Sequence, residues 1–261
     1  MEIGVFGREH GVTAATDAGR RGENQDATFW TAVSGGNRVG WDGVLEREPM
    51  PDSRDDMFVA VVCDGMGGLP DGAAASSLVA GRLAEWALSC PADSLDSMIP
   101  SFADALEGAE AELMSLHPGS GTTVSAILAA DGGWASAHVG DSRCYAWWDG
   151  FAWRSRDHSP VEAMFREGMI SEDEMNGHPL SHIVSRHIGG GHAGSLSVSR
   201  ILPGWEGLAL CSDGAFGYMP PSEFGELLRS GKTAGELVDA ALERGSTDNV
   251  TVVRIVARNI S

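Results

Sequence analysis

Five aspartates stand where an apolar run meets a turn. Asp26 precedes "ATFWTAV", Asp64 follows "VAVVC", Asp141 sits in "HVGDSRC", Asp213 follows "LALCS" and Asp248 precedes "NVTVV". If these runs are antiparallel neighbours, the end of one strand lies beside the start of the next, and the carboxylates gather at one edge of the sheets. Like charges so placed raise one another's pKa and resist burial unless cations, protons or basic side chains balance them. Hard oxygen donors, with no suitably spaced Cys/His set beside them, select Mg2+, Mn2+ or Ca2+ over zinc. Gly65 and Gly214, directly after Asp64 and Asp213, let the backbone turn sharply and allow a carbonyl or a water to approach an ion. Taken singly, an Asp-Gly or Asp-Asn pair is ordinary turn punctuation. The joint placement points to a divalent-cation site, and composition and spacing go no further.

The elements that must position these residues are short. Strands are expected at 27–33, 57–63, 122–130, 134–139, 143–148, 195–202, 207–212 and 250–257, each rich in apolar or β-branched residues and most bounded by Gly, Asp or Asn. Helical spacing of Leu78, Arg82, Leu83 and Trp86 predicts a helix over 71–89, and that of Phe102, Leu106, Ala109 and Leu113 a second over 102–116. Shorter helices are expected at 160–167, 171–175, 221–229 and 233–244. Tight turns at Asp131 and Gly140 imply antiparallel pairing, hence an α+β arrangement with helices on the outer faces of the sheets. Without a repeat or a low-complexity linker, residues 1–261 read as a single domain. The polar stretch 34–56 reads as a long hairpin loop whose tip lies about a strand length, ~20 Å, from Asp26 and Asp64.

Acidic residues number 37 against 18 basic, a formal charge of −19, with Lys232 the only lysine. That balance argues against nucleic acid and anionic membranes as partners. No run of eighteen apolar residues occurs, and the N-terminus lacks a basic start and an apolar h-region. Neither a span nor a signal peptide is expected, and a cytoplasmic protein is the default. Cys63, Cys90, Cys144 and Cys211 contain no C-x-x-C pair and read as small buried hydrophobes. His138, His158, His178, His182, His187 and His192 each read as hydrogen-bonded or exposed rather than catalytic.

Eight segments in order, "TDAGRRGENQDA", "VVCDGMGG", "GSGTTVSAIL", "AHVGDSRCY", "RDHS", "GHPLSHIVSRHIGG", "LALCSDG" and "STDNVTVV", cover nearly the whole chain. Read together, the chain resembles the metal-dependent serine/threonine protein phosphatases of the PPM, or type 2C, family in its bacterial form. The resemblance implies a four-layer α/β/β/α sandwich, two mainly antiparallel sheets packed face to face, with a small flap subdomain at 156–192. It implies two or three Mg2+ or Mn2+ ions. Asp64 would bridge a pair, Gly65 would offer its carbonyl, Asp213 and Asp248 would be direct ligands, and Asp141 with Asp213 would hold a third. It matches Arg21 to the arginine that grips the substrate phosphate and Asp26 to the acid that orients water at the metals. Phosphorylated proteins, shared with a cognate serine/threonine kinase, are the implied partners, and a monomer is expected.

Two departures from the family pattern stand out. Gln25 precedes Asp26 where a glutamate is common, removing one negative charge near the ions. Met66 occupies the place where many eukaryotic members carry a histidine proposed as general acid, so the proton donor to the leaving group is unassigned. The competing reading is a catalytically weak domain of the same fold that binds phosphoproteins or regulates.

Overall fold

A computed structural model describes residues 2–6, 10–34, 37–42, 57–90, 94–149 and 151–257. The strands are β1 (Glu2–Phe6), β2 (His10–Asp17), β3 (Asp26–Ser34), β4 (Asn37–Asp42), β5 (Met57–Asp64), β6 (Val124–Ala130), β7 (Gly133–Val139), β8 (Arg143–Trp148), β9 (Phe151–Arg154), β10 (Ser197–Ile201), β11 (Gly207–Cys211) and β12 (Val250–Ala257). The helices are α1 (Gly72–Ser89), α2 (Leu95–Leu116), α3 (Pro160–Arg166), α4 (Glu172–Met175), α5 (Asp213–Phe216), α6 (Pro221–Arg229) and α7 (Ala234–Glu243).

Two six-stranded sheets form, one in the order β10-β7-β6-β5-β3-β4 and the other β1-β2-β12-β11-β8-β9. Every pairing in both is antiparallel. The period-two alternation of each strand separates the core into layers. In β5, Phe58, Ala60 and Val62 point between the sheets, whereas Met57, Val59, Val61 and Cys63 face α1 and α2. In β12, Val253 and Ile255 face the other sheet, and Val250 and Val252 pack under α5, α6 and α7. Strands buried on both faces read as continuous apolar runs, and that is the pattern of "MFVAVVC" and "VTVVRIVA". The expected α/β/β/α sandwich is therefore the observed one.

The structure departs from the sequence reading at β1, β2, β4, β9, α5 and the start of α2. Residues 37–42 of the expected loop 34–56 form β4, paired with β3 from Phe29↔Asp42 to Ser34↔Asn37; residues 43–56 lie outside the described residues. β2, spelled "HGVTAATD", was not expected because Gly, Ala and Asp dilute its β signal, yet it pairs with β12 along its whole length, from Val250↔Asp17 to Ala257↔His10. β1 and β9 were likewise not expected. α2 begins at Leu95 and runs through Pro100. Ser94 forms a capping box with Ser97, and Leu95 and Met98 are buried, so capping and packing together outweigh the missing proline N–H. Among the described residues no helix is long and apolar enough to cross a membrane. All four cysteines are buried.

Candidate active site

Asp26 opens β3 and Asp64 closes β5, and the register sets the two directly opposite. Asp213 is the first residue of α5, two residues past the end of β11, and Asp248 stands two residues before β12. Because β11 and β12 pair with Cys211 opposite Val252, these two carboxylates are carried to the same end of the second sheet. Asp141 lies in the link from β7 to β8, where the chain crosses from one sheet to the other. Gly140 makes that crossing with φ +116°, and a Cβ there would stand 2.7 Å from the Thr123 side chain. Thr123 ties the loops together: its hydroxyl accepts the Asp64 N–H at 3.0 Å and shares a hydrogen bond with Ser142 Oγ at 2.8 Å.

The electrostatics confirm the gathering. Burial, followed by Asp26, Asp213, Asp141 and Asp248, holds the Asp64 carboxyl well above the ordinary range. Burial pushes Asp26 up to about 7 against the opposing hydroxyls of Thr251 and Ser212, with Asp213 and Asp248 adding to it. Burial and Asp248 raise Asp213 to about 6, and burial, Asp213 and Asp157 raise Asp141 to about 8. One edge of the molecule thus holds carboxyl groups that resist ionising together.

Each has distinct partners. Asp26 Oδ2 accepts from Ser212 Oγ at 2.8 Å and Thr251 Oγ1 at 2.6 Å, whereas its buried Oδ1 has no hydrogen-bond partner among the described residues. Asp248 Oδ1 accepts the Asn249 N–H at 2.9 Å and Oδ2 accepts from Arg21 Nη2 at 2.7 Å. Asn249 also fixes the Arg21 turn, donating from Nδ2 to the Ala18 and Glu23 carbonyls at 2.9 Å each and accepting the Gln25 N–H at 2.9 Å. Gly65 sits where the backbone closes on itself: its N–H donates to the Gln25 carbonyl at 3.0 Å, and a Cβ would lie 2.3 Å from the Gly72 carbonyl oxygen. All of the expected residues, Arg21, Asp26, Asp64, Gly65, Asp141, Asp213 and Asp248, fall at this one edge. Ser212, Thr251, Thr123 and Asn249 were missed as contributors, although each stands beside or within a motif already in view.

Among the described residues no three His, Cys, Asp or Glu side chains already close into an ion cage. The donor set nonetheless fits hard divalent ions. Its side chains are all carboxylates, half-buried and crowded enough that burial and neighbouring carboxylates raise Asp26 and Asp64, and among the described residues Asp26 Oδ1 is an acceptor left without a donor. Cys63 and Cys211 face the helices instead, and burial pushes their thiols up, away from thiolate. Beside the carboxylates opens a cleft of about 300 Å3, walled by Asp141, Asp213, Asp248, Ser181, His182 and Tyr218 among others.

No family model matches the chain. A curated relative, the serine/threonine phosphatase stp of Listeria innocua, is 30% identical over 226 residues, spanning 80% of this chain and 88% of its own. The chain belongs to the PPM family of serine/threonine protein phosphatases. The crystal structure of the serine/threonine phosphatase Stp1 from Staphylococcus aureus superposes with a TM-score of 0.78 over 99% of this chain and 98% of that one, at 24% identity, a likeness of fold. The catalytic domain of the serine/threonine protein phosphatase PstP, solved in complex with two manganese ions, superposes with a TM-score of 0.70 over 96% and 99%, at 26% identity.

Proposed function

We propose that this PPM phosphatase hydrolyses phosphoserine and phosphothreonine esters in proteins at the carboxylate edge, with Mg2+ or Mn2+ held by Asp64, Asp213, Asp248 and the Gly65 carbonyl, and a further ion by Asp141 with Asp213. The observation that carries the reading is the convergence of half-buried aspartates from both sheets at one edge, with Asp26 directly opposite Asp64 and with Asp213 and Asp248 carried to one end by the pairing of Cys211 with Val252. Such ions, when bound, supply Lewis acidity toward phosphoryl oxygens and lower the pKa of water to near neutrality.

The chain's own groups do the rest. Arg21, half-exposed at the mouth, presents a permanently charged planar fork to the non-bridging oxygens of a phosphate. To do so it exchanges Asp248 for the substrate. Asp26 keeps one oxygen on Ser212 and Thr251 and aims the other, unpartnered, toward the reacting centre. That oxygen orients the attacking water and accepts its proton. Tyr218, whose hydroxyl shares a 2.7 Å hydrogen bond with Thr247, and His182 form the wall where the peptide enters.

Residues 156–192 act as a flap over this cleft. Asn176 Nδ2 joins them to the Phe216 and Met219 carbonyls at 3.2 and 3.1 Å, and the Ile188 N–H joins them to the Thr122 carbonyl at 2.8 Å. The whole chain works as one domain. Its substrates are those of a serine/threonine kinase, and it signals as a cytoplasmic monomer, a setting supported by the free buried thiols of Cys63, Cys144 and Cys211. The test is phosphate release from a phosphothreonine peptide. Turnover that requires Mn2+ or Mg2+ and stops with EDTA supports the proposal, and turnover indifferent to EDTA overturns it.

A further inference from the structure

On the other side of the Asp157–Ser159 wall from the catalytic cleft lies a second, larger cavity of about 600 Å3. Asp157 and Ser159 line both. Its floor is built from the histidines that the catalytic chemistry does not use. His138 and His158 stack with ring centroids 4.7 Å apart. The Gly140 N–H donates to His158 Nδ1 at 3.1 Å, which leaves the proton on Nε2 facing Ser197 Oγ at 2.9 Å. His138 Nε2 donates to the Arg156 carbonyl at 2.7 Å. Burial pushes His158 down to about 4 and lowers His138, so both rings are neutral at pH 7 and leave the charge of the cavity to other groups.

Those groups are Arg156 and Arg186. Both are exposed, both line the cavity, and neither has a carboxylate within ion-pair distance among the described residues. The acids in the same walls, Asp157 and Glu162, are buried and already neutralised. Asp157 is held by Arg143 at 2.6 Å, and Glu162 by Arg154 and Arg166 at 2.8 Å each. In a chain with 37 acidic and 18 basic residues, two uncommitted guanidinium groups in one concavity are a local reversal of sign. The hydroxyls of Ser185, Ser197 and Ser199 line the same space and add neutral donors. Guanidinium forks with hydroxyls around them suit a tetrahedral or planar oxyanion.

Resting on the phosphatase reading above, we propose that this cavity is a second anion subsite. It takes a phosphate or carboxylate side chain elsewhere on the same peptide whose phosphoresidue occupies the catalytic cleft. The shared wall places the two anions a few residues apart along an extended peptide. The enzyme therefore favours multiply phosphorylated or acidic segments, and the flap selects among substrates by charge. Phosphate, with more charge and more oxygens, binds the subsite better than carboxylate.

The experiment compares phosphothreonine peptides that carry, four residues before or four residues after the phosphothreonine, a phosphoserine, a glutamate or a glutamine. Wild type and the double variant Arg156→Gln/Arg186→Gln are assayed with Mn2+. Wild type should show a KM about tenfold lower for the phosphoserine peptide than for the glutamine peptide in at least one of the two positions, with glutamate between. The double variant should lose that preference while turning over p-nitrophenyl phosphate at the wild-type rate. Equal KM values for all peptides with wild type, or a preference that survives in the variant, would overturn the proposal. Loss of p-nitrophenyl phosphate turnover in the variant would also count against it, by marking the arginines as structural. If wild type itself fails to hydrolyse p-nitrophenyl phosphate, the phosphatase reading is what fails. Fluorescence anisotropy of the doubly phosphorylated peptide on both proteins then decides the subsite separately: tighter binding by wild type supports it, and equal binding refutes it.

Discussion

Arg21 and Asp248, 227 residues apart in sequence, meet in an ion pair of 2.7 Å at the mouth of the carboxylate edge. In the proposed function the pair would couple the two ligands of the site, because the guanidinium that would grip phosphate holds a carboxylate that would bind an ion. Arg21→Ala should therefore do two opposite things. It should raise KM for a phosphopeptide about tenfold with a smaller change in kcat, since the fork contacts phosphate in ground and transition states alike. It should also tighten Mn2+ binding several-fold by freeing Asp248 and removing a nearby positive charge. Steady-state kinetics and a calorimetric Mn2+ titration check both, and a large kcat loss with unchanged KM would contradict the role given to Arg21.

The Ser212 and Thr251 hydroxyls favour the charged form of Asp26, while burial opposes it. Removing both in Ser212→Ala/Thr251→Val should raise the Asp26 pKa further. The acid limb of kcat/KM against pH then moves to higher pH, with a loss of about tenfold near neutrality. An unmoved limb would show that another group controls it.

Asp26, Asp141 and Asp213 are held above the ordinary carboxylate value, at about 7, 8 and 6. An acid with a raised folded pKa binds more protons folded than unfolded between those values and about 4, so stability falls as pH rises through that window. In EDTA the Tm should drop between pH 5 and pH 8. Saturating Mn2+ should reverse the trend at pH 8, adding about 5 to 10 °C at a hundredfold excess over Kd. A metal-free Tm that climbs from pH 5 to pH 8 would contradict the crowded carboxylates.

Arg143 reaches Asp157 through two hydrogen bonds of 2.8 and 2.6 Å, with both side chains only 5% exposed, and stacks 4.0 Å over the Phe216 ring. Asp157→Ala leaves that guanidinium buried without a counter-charge. A loss of about 3 to 5 kcal/mol is expected, lowering Tm by about 10 °C. A change under about 1 kcal/mol in denaturant unfolding would show that the pair is dispensable.

Much of this was legible in sequence because the chemistry sits at element boundaries. Asp26, Asp64 and Asp213 each mark a strand or helix terminus, Asp248 stands two residues before β12, and β-branched runs such as "VTVVRIVA" declare strands directly. β2 was not legible, because alanine and glycine carry no strand preference and its place is set by eight residues of pairing with β12. Pro100 hid the first turns of α2, whose start depends on Ser94 and on Leu95 and Met98 being buried. The engagement of Asp248 by Arg21 rests on the β2–β12 register, with Val250 opposite Asp17, and the reach of Ser212 and Thr251 to Asp26 needed the two sheets to be stacked. Local pattern places a residue on an edge, whereas which edge residues touch is a property of register and layering.

If ions held at the carboxylate edge make this chain a phosphatase, Asp213 is the sharpest test, because it is proposed to serve both the ions held with Asp248 and the further ion held with Asp141. The measurement is Mn2+-dependent hydrolysis of a phosphothreonine peptide by wild type and by Asp213→Asn, with far-UV circular dichroism showing both folded. The account predicts metal-dependent turnover in wild type, abolished by EDTA, and a loss of about 100-fold or more in Asp213→Asn. Full activity in Asp213→Asn, or no metal-dependent turnover in well-folded wild type, would contradict it.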